Sequence, residues 1–287
     1  ILFTFLQAPR STVQYLRRGW SKFKWGIFKR FYLDEPIIRL QPDVLHFEFG
    51  TLAVGRTYLK EMVDTKLSVS FRGYDLNFIG IEDKHHYDAL WESIDACHLL
   101  SKHLWQKAQE RGCPGTICFS IITPAVDMSK FADHKREKED IHSSINPIKI
   151  VSIGRLEWKK GYEHALQAIR KLVDEGVNCE YHIIGDGNYK SALYYAVYQL
   201  KLSRNIHFLG SLSHEKVIDY LVESDILLHP SLSEGFCNAV LEAQAVGLPV
   251  VCTNAGGLPE NIEDAVTGFV VPRRDPTAIA KKLTLLA

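Results

Sequence analysis

The second half of the chain alternates short apolar runs with longer amphipathic stretches, and this alternation restricts the fold more than any other feature. The apolar runs predict strands at 148–153, 179–184, 206–209, 225–229, 249–252 and 268–271. The amphipathic stretches predict helices at 161–175, 187–201, 213–223, 238–246 and 258–263, with another from 276. Strands that alternate with helices are typical of an α/β fold with a doubly wound parallel sheet of the nucleotide-binding type.

The first half follows the same pattern with fewer units. It predicts strands at 2–6, 43–48, 67–71, 97–100 and 117–121, and helices near 11–31, 51–63, 85–93 and 101–111. A matching Rossmann-like domain opens with a strand and a glycine-rich turn, which does not occur here, so we expect this domain to lack its first units. A polar, charged stretch predicts a linker at 136–147, between domains at 1–135 and 148–287.

Composition narrows the choice of partners and compartment. Lys+Arg and Asp+Glu both number 34, so net charge does not indicate a nucleic-acid partner. No apolar run approaches the roughly 20 residues of a membrane span, and the apolar start lacks the basic lead-in of a signal peptide. The six cysteines are scattered without a CxxC pair, which favours reduced core thiols in a cytoplasmic protein.

Two strand ends in the second half carry candidate ligand-binding residues. The segment "VSIGRLEWKKGYEHAL" places Gly154, Arg155 and Lys160 between a strand and a helix. An arginine and a lysine there can clamp a diphosphate, although solvated loop cations are also common in such turns. Gly185 and Gly187 in "IIGDG" allow either close approach of a ligand or an ordinary tight turn. Neither GxGxxG nor GxxxxGK[ST] occurs, which disfavours dinucleotide oxidoreductases and P-loop NTPases.

The stretch "SEGFCNAVLE" holds two glutamates, Glu234 and Glu242. Within one helix they would lie about 80° apart around the axis. We predict instead that Asn238 is the N-cap, which puts Glu234 on the loop and Glu242 in the helix. Both carboxylates can then reach one ligand above the strand ends. The two glutamates could also have roles that involve no ligand, either as partners of the helix dipole or on a solvated helix face.

In this order the motifs "GRLEWKKG", "IIGDG", "SEGFCNAVLEAQAVGLPVV", "GGLPE" and "GFVVP" resemble the retaining GT-B glycosyltransferases of glycosyltransferase family 4, or group 1. In the first half, "DVLHFEFG", "SFRGYDL" and "GCPGTICFSIITPAVDMSKF" are similar to the branch that makes colanic acid and other exopolysaccharides. The resemblance implies two Rossmann-like domains facing a cleft, of which the first binds the acceptor and the second binds a nucleotide-sugar donor. It implies transfer with retention to a saccharide or lipid-linked saccharide, without a metal or other cofactor.

The resemblance also implies roles for individual residues. Arg155 and Lys160 would hold the donor diphosphate and stabilise the departing phosphate, and Glu234 would contact the sugar; we predict these three as the catalytic residues. Glu242 would bind the ribose. The remaining predicted donor-binding residues are Gly154, Gly185, Gly187, Leu212, Phe236, Cys237, Asn238 and Ala239. We favour front-side attack because no second carboxylate is evident as a nucleophile.

The chain departs from the family pattern at two positions of the first half. Many relatives have a histidine where "FRGYD" has Arg72, and arginine donates hydrogen bonds but does not titrate as a base. Where relatives often read "HAHFG", this chain keeps His46 but has Glu48. We predict Arg72, Asp75 and His46 as sugar or acceptor contacts, with a core histidine as the alternative for His46.

Two other functions and one other site are possible from the sequence. A pseudoenzyme that binds sugar nucleotides would not need the full set of charged motif residues. A GT-B nucleotide-sugar epimerase would need acid and base residues near the sugar C2 and lacks the E-x7-E flanks. A group of two histidines and two aspartates fits a surface helix better than a metal site: Asp83, His85, His86 and Asp88.

The stretch 10–34 is basic, with seven Lys/Arg and no acid before Asp34. One helical stripe indicates a core face, formed by Leu16, Trp20, Phe23, Ile27 and Phe31. A second stripe puts a tryptophan among cations, Arg18, Lys22, Trp25 and Lys29. This pattern fits peripheral contact of 10–31 with the anionic inner face of a membrane, or a solvated basic helix.

Overall fold

The computed structural model describes residues 2–132 and 146–287, which form two compact units, Ile1–Ile122 and Thr123–Ala287. Each unit contains one parallel β-sheet. The predicted linker at 136–147 lies outside the described residues except for its last two positions.

The first unit contains a four-stranded sheet in the order β1-β2-β3-β4, with every neighbouring pair parallel. Its strands are β1 Val44–Phe47, β2 Lys66–Phe71, β3 Ala96–Leu99 and β4 Cys118–Ile121. Its helices are α1 Leu2–Gln7, α2 Pro9–Phe23, α3 Ile27–Leu40, α4 Gly50–Ala53, α5 Leu59–Val63, α6 Tyr74–Phe78, α7 Asp88–Trp91 and α8 Lys102–Glu110. The predicted strands at 43–48, 67–71, 97–100 and 117–121 are confirmed to within one residue.

The predicted helix at 51–63 is two short helices, α4 and α5, separated by a turn at 54–58. Two predicted elements nearer the start of the first unit are also wrong. The predicted strand at 2–6 is helix α1, because a short apolar run does not distinguish a strand from a helix. The predicted helix at 11–31 is broken by a 3₁₀ turn at Lys24–Gly26, where Lys24 adopts a positive φ of 45°. The chain therefore reverses, and the predicted core stripe does not run through the turn: Ile27 and Phe31 are buried but Trp20 is 47% exposed.

Helices α2 and α3 form an antiparallel hairpin around one buried carboxylate. Asp34 is 1% exposed and accepts hydrogen bonds from the hydroxyls of Tyr15 and Tyr58, both at 2.7 Å. The ring of Tyr15 also meets Phe31 edge to face, with centroids 5.7 Å apart. Because a buried carboxylate is costly without partners, the bond from Tyr15 holds α2 and α3 in register, and the bond from Tyr58 ties the hairpin to the start of α5.

The two faces of the first sheet differ in polarity. Leu67, Val69 and Phe71 point into the apolar core of the unit. The alternate positions of the neighbouring strands carry His46, Ser70 and His98, which are joined by hydrogen bonds. Period-two alternation thus gives this sheet one apolar and one polar face.

The second unit contains a six-stranded parallel sheet in the order β10-β9-β8-β5-β6-β7. Its strands are β5 Ile148–Ile153, β6 Cys179–Ile184, β7 Ile206–Gly210, β8 Ile226–His229, β9 Val250–Thr253 and β10 Gly268–Val271. Its α-helices are α9 Tyr162–Asp174, α10 Lys190–Gln199, α11 His214–Glu223, α12 Asn238–Ala245 and α13 Pro276–Leu286. All six predicted strands are confirmed to within one residue, and the predicted helix at 258–263 is a 3₁₀ turn, Leu258–Asn261.

Apolar cores cover both faces of the second sheet. One core packs α9, α10 and α13 against the sheet, and the other packs α11 and α12. Strands β8 and β9 are buried along their whole length. Burial on both sides explains why these strands appear in the sequence as continuous apolar runs rather than alternating ones.

No helix within 2–132 or 146–287 is both long enough and apolar enough to cross a bilayer.

Candidate active site

The strand order of the second sheet creates a crevice between β5 and β8. These strands are neighbours, but the chain leaves β5 toward β6 on one side and leaves β8 toward β9 on the other. Such a switch point, at the carboxyl ends of the strands, is where open α/β sheets bind ligands. The loops that follow β5 and β8 therefore form the candidate site.

Backbone contacts fix these two loops against each other. Gly161 has a positive φ of 66°, and a Cβ at this position would overlap the carbonyl oxygen of Pro230. The N–H of Leu232 donates to the carbonyl of Lys159 at 2.7 Å. Only glycine permits this approach without strain, so the sequence "KKG" itself sets the distance between the loops.

The contact brings Lys160 and Glu234 together. Lys160 Nζ lies 2.5 Å from Glu234 Oε1, and the two side chains are only 14% and 13% exposed. Ser231 Oγ donates to the same oxygen at 2.8 Å, and His229 Nε2 lies 3.1 Å from it. No donor in the described ranges reaches Glu234 Oε2, which leaves this atom available to a ligand hydroxyl.

This cluster shifts the pKa values of its members. Burial opposes ionisation of Glu234, but the hydrogen bond from His229 and the charge of Lys160 lower its pKa to about 2. Burial also opposes protonation of His229, yet the sulfur of Cys237 at 3.4 Å and the carboxylate of Glu234 raise its pKa to about 9. At neutral pH the Glu234 carboxylate is therefore ionised, and it lies against the Lys160 ammonium.

The start of helix α12 differs from the predicted cap. The N-cap is Cys237 rather than Asn238, which is the first helical residue and does not cap the helix with its side chain. Asn261 takes over the local hydrogen bonds, because its amide accepts from the N–H of Cys237 at 3.1 Å and donates to its carbonyl at 3.0 Å. The N–H of Cys237, a predicted phosphate donor, is therefore already occupied.

Glu242 lies on α12, in the turn after the helix start. Its Oε1 is 3.2 Å from Nε2 of His214, the first residue of α11, and the carboxylate is 17% exposed. Glu234 precedes the helix, as predicted, so the two glutamates need not share a helical face. Phe236 and Ala239 flank this helix start and are half-buried.

Arg155 is oriented differently from Lys160. Its side chain is 70% exposed, and its Nη1 pairs with Glu157 Oε1 at 2.8 Å. The structure thus joins Lys160 and Glu234 but gives Arg155 a separate, exposed partner on the same loop. An exposed guanidinium can exchange this surface partner for a ligand phosphate at little cost.

The predicted glycines pack loop against loop. Gly185 has a φ of 135°, and a Cβ there would overlap the carbonyl oxygen of Gly154. Gly187 approaches the backbone of Leu156 equally closely. The N–H of Gly185 donates to Gly210 O at 2.8 Å, so the loops after β5, β6 and β7 form one continuous rim. Leu212 follows in this rim, half-buried against the apolar core.

In the first unit, the two residues that depart from the family pattern pair with each other. The Arg72 guanidinium forms an ion pair with the Glu48 carboxylate, and its Nε donates to the Glu48 carbonyl at 3.2 Å. The hydrogen bond from Arg72 lowers the pKa of Glu48. Both side chains are exposed, which makes this pair the surface counterpart of the buried pair in the second unit.

The other predicted residues of the first unit are held by neighbours. Asp75 is fully buried and accepts from the N–H groups of Thr51 and Arg72, at 3.3 and 3.1 Å, so it orders the local backbone. His46 is partly exposed, with its ring nitrogens 3.0 and 2.9 Å from the hydroxyls of Ser68 and Ser70. It is therefore not a core histidine.

Sequence reasoning missed several residues of these sites. His229 ends the apolar run "DILLH", and a polar residue at the carboxyl end of a buried strand was the available signal for it. His214 and Asn261 gave no signal, because their partners Glu242 and Cys237 are distant in sequence. The six cysteines are free thiols; five are buried as predicted, and Cys118 is exposed.

The sequence matches one protein family over more than half of its length. The family is described as glycosyl transferases group 1, and the match covers residues 133–287. The putative colanic acid biosynthesis glycosyltransferase WcaL of Escherichia coli (strain K12) is 30% identical over 84% of this chain and 60% of the relative. The amylovoran biosynthesis glycosyltransferase AmsK of Erwinia amylovora is 33% identical over 85% and 60%. The chain thus spans 60% of the length of these relatives.

Solved structures share the fold. A glycosyltransferase from Rickettsia africae ESF-5 superposes with a TM-score of 0.74 at 23% identity, over 93% of this chain and 72% of that one. Anabaena Alr3699/HepE, solved in complex with UDP and glucose, superposes with a TM-score of 0.73 at 17% identity, over 85% and 67%. These likenesses show the predicted α/β GT-B fold, with a parallel sheet in each unit.

Proposed function

Because the chain belongs to the group 1 glycosyl transferases, we propose that it transfers a sugar from a nucleotide-sugar donor in exopolysaccharide biosynthesis. The acceptor is a saccharide or a lipid-linked saccharide, in line with the polysaccharide pathways in the names of WcaL and AmsK. The observation that carries the proposal is the buried contact of Lys160 with Glu234 at the switch point of the second sheet.

In this proposal the cations at the strand ends bind the donor diphosphate. Lys160 and Arg155 hold its oxygens, and the charge of Lys160 stabilises the phosphate as the sugar departs. A diphosphate brings its negative charge to the Lys160 ammonium and to the exposed Arg155 guanidinium, which follow the same strand. No metal or other cofactor is required, because these side chains supply the positive charge.

Glu234 and Glu242 contact the two sugars of the donor. Glu234 presents Oε2 to a hydroxyl of the transferred sugar, while Oε1 stays fixed by Lys160, Ser231 and His229. Glu242 receives the ribose hydroxyls at the start of α12. The N–H groups of Asn238 and Ala239 remain for phosphate, since Cys237 donates to Asn261.

Transfer with retention then proceeds by front-side attack. A carboxylate with a pKa of about 2 is a weak base and a poor nucleophile, which argues against a covalent intermediate on Glu234. The anomeric configuration of the product, measured by NMR, is expected to match that of the donor. A glycosyl adduct on Glu234, detected by mass spectrometry, would contradict this mechanism.

The first unit supplies the acceptor contacts. Arg72 and His46 are partly exposed and can donate hydrogen bonds to a saccharide. Asp75 acts through Arg72, whose N–H it accepts, rather than by touching the acceptor. Glu48 competes with the acceptor for Arg72, so its replacement by glutamine is expected to lower the acceptor KM while leaving donor binding unchanged.

Donor turnover tests this function. The purified protein is incubated with labelled nucleotide sugars, with and without acceptor saccharides, and release of the nucleoside diphosphate is measured. Lys160→Ala and Arg155→Ala should lower kcat by ~100-fold or more, because each removes charge stabilisation of the leaving group. Arg170→Ala is the matched control, since Arg170 pairs with Asp174 on the exposed face of α9.

The alternatives predict other results. A pseudoenzyme would bind a nucleotide sugar without ever transferring or hydrolysing it. An epimerase would change the sugar of the donor without needing an acceptor. Near-normal transfer in both Lys160→Ala and Arg155→Ala would rule out the diphosphate assignment.

We further propose that the basic hairpin contacts an anionic membrane at its cytoplasmic face. Trp20, Trp25 and Phe28 form an exposed aromatic cluster with ring centroids 5.4–6.4 Å apart, and Trp25 is 76% exposed. Exposed cations surround it, and a groove of about 820 Å³ runs along α2, lined by Pro9, Arg10, Val13, Gln14, Arg17, Arg18 and Ser21. Exposed aromatics among cations suit the headgroup region of a bilayer.

Vesicle binding tests the membrane contact. Trp25→Ala combined with Lys22→Ala should weaken binding to vesicles rich in phosphatidylglycerol and leave binding to neutral vesicles unchanged. Tyr198→Ala combined with Lys171→Ala removes an exposed aromatic and a cation from the second unit and is the control. Equal vesicle binding by both double variants would show that the hairpin is an ordinary solvated surface and does not contact the membrane.

A further inference from the structure

Two histidines and a glutamate meet on one face of the second sheet, at strands β6 and β7. Glu180 and His182 are two residues apart on β6 and point to the same side, and His182 is paired in register with His207 on β7. The candidate ligand atoms of the three side chains all lie within 4.8 Å of one another. His182 Nε2 is 3.2 Å from Glu180 Oε2, and the two imidazole rings are 4.9 Å apart.

One atom of this cluster lacks a partner. His207 Nε2 is buried, and no group in the described part of the chain hydrogen-bonds it. An unpaired buried polar atom is destabilising, so a bound group that satisfies it is favoured. The atom belongs to the imidazole ring whose centroid lies 4.9 Å from that of His182.

The chemistry of the three side chains selects a divalent transition-metal ion. Two imidazoles and one carboxylate are a donor set that zinc accepts, with a water at the fourth position. The side chain of Glu180 is more exposed than that of His182, so an ion can enter past the Glu180 carboxylate.

The surroundings fit a structural site rather than a catalytic one. The cluster lies toward the strand starts, whereas Lys160 and Glu234 follow strand ends. Lys149 faces the cluster from β5 and opposes a cation, but its ammonium is 3.8 Å from the Glu223 carboxylate, which offsets this charge. Tyr220 of α11 covers His182, with ring centroids 6.0 Å apart.

We propose that Glu180, His182 and His207 bind one zinc ion that ties the edge strand β7 to β6. Small movements of the side chains bring the three ligand atoms from their present separations to zinc-ligand distances of about 2.0–2.2 Å. The ion stabilises the second unit and takes no part in sugar transfer, so the proposal is independent of the proposed function.

Zinc titration tests the site. The whole protein is stripped with a chelator, dialysed and titrated with zinc chloride against a chromophoric competitor, and its Tm is followed in parallel. We expect one ion per chain and a rise in Tm, because an ion that binds only the folded state stabilises it. His182→Gln, His207→Gln and Glu180→Gln should each weaken zinc binding by at least ~10-fold.

His85→Gln is the matched control. His85 is an exposed histidine outside the cluster, and its Nδ1 lies 2.6 Å from Asp88 Oδ2. Its zinc affinity should equal that of the parent. Glu180→Gln preserves the shape of the side chain, and its Tm without zinc shows whether the fold is intact. The proposal is overturned if no stoichiometric zinc binds, or if the affinity is the same in all three variants and the parent.

Discussion

The two units differ in where they place an ion pair, which is buried in the second unit and exposed in the first. In the second unit the pair of Lys160 and Glu234 is almost fully buried and is held by a histidine and a serine. In the first unit the pair of Arg72 and Glu48 lies on the surface. A buried pair is costly to assemble and is retained where a site needs it, whereas a surface pair contributes little to stability. Burial therefore separates the two candidate sites more clearly than residue type does.

The two sheets also differ in burial. The second sheet is covered on both faces, and its loops pack backbone against backbone through Gly161 and Gly185. The first sheet has a polar face that carries His46 and His98. Close packing of these loops fixes the geometry of the candidate site in the second unit. Substitutions there should therefore have larger effects than substitutions in the first unit.

The largest effect is expected for Gly185→Ala. Its Cβ would overlap the carbonyl of Gly154, and its φ of 135° is unfavourable for alanine, so we expect a loss of about 4 kcal/mol or more in the free energy of unfolding. Gly176→Ala is the control, because Gly176 also has a positive φ, 82°, but has open space around it. It should cost only about 1 kcal/mol, measured by urea unfolding. Equal losses would show that the loops are not tightly packed.

The charge comparison is tested next by Lys160→Met and Arg72→Met. The first leaves a buried carboxylate without its ammonium partner and should cost about 3 kcal/mol. The second breaks an exposed pair and should cost no more than about 1 kcal/mol. Chemical denaturation of both variants measures the difference. Similar values would contradict the claim that burial distinguishes the two pairs.

Tyr58→Phe tests the buried carboxylate of Asp34 in the first unit. The variant removes a hydrogen bond to Asp34 and should lower the free energy of unfolding by roughly 2 kcal/mol. Tyr32→Phe changes a tyrosine that is 80% exposed and should have almost no effect. A negligible loss in Tyr58→Phe would mean that Tyr15 alone satisfies Asp34.

The stability of the second unit should also depend on pH. The pKa of His229 is raised from 6.5 to about 9, so its contribution is fully present below pH 6.5 and is lost as the pH rises toward 9. The pKa of Glu234 is lowered from 4.5 to about 2, so its contribution is lost as the pH falls through that range. His229→Gln should flatten the alkaline loss measured by unfolding at pH 6 and pH 9, and His85→Gln should not.

The sequence predicted the strands of both sheets because each strand is a local apolar run. It did not predict the reversal at Lys24–Gly26, because helical periodicity continues through a turn that is closed by one positive φ. It placed Glu234 on a loop correctly, but the contact with His229 depends on the order of strands in the sheet. The pairing of Glu48 with Arg72 likewise depends on the adjacency of β1 and β2.

The predicted cap at Asn238 failed for a related reason. A capping side chain competes with groups that the fold brings in from elsewhere, and here Asn261 bonds both the N–H and the carbonyl of Cys237. Local sequence can rank capping residues but does not include a partner 24 positions away. The position of the helix start was right to within one residue, and its hydrogen bonds were not.

The most direct test of the proposed donor site is thermal unfolding in the presence of UDP-, GDP- and ADP-sugars. We expect one nucleotide series to raise the Tm by several degrees. Lys160→Met and Glu242→Gln should reduce this rise strongly, and Arg170→Ala should retain it. A Tm that no nucleotide sugar changes, or a full rise in both Lys160→Met and Glu242→Gln, would contradict the proposed donor site.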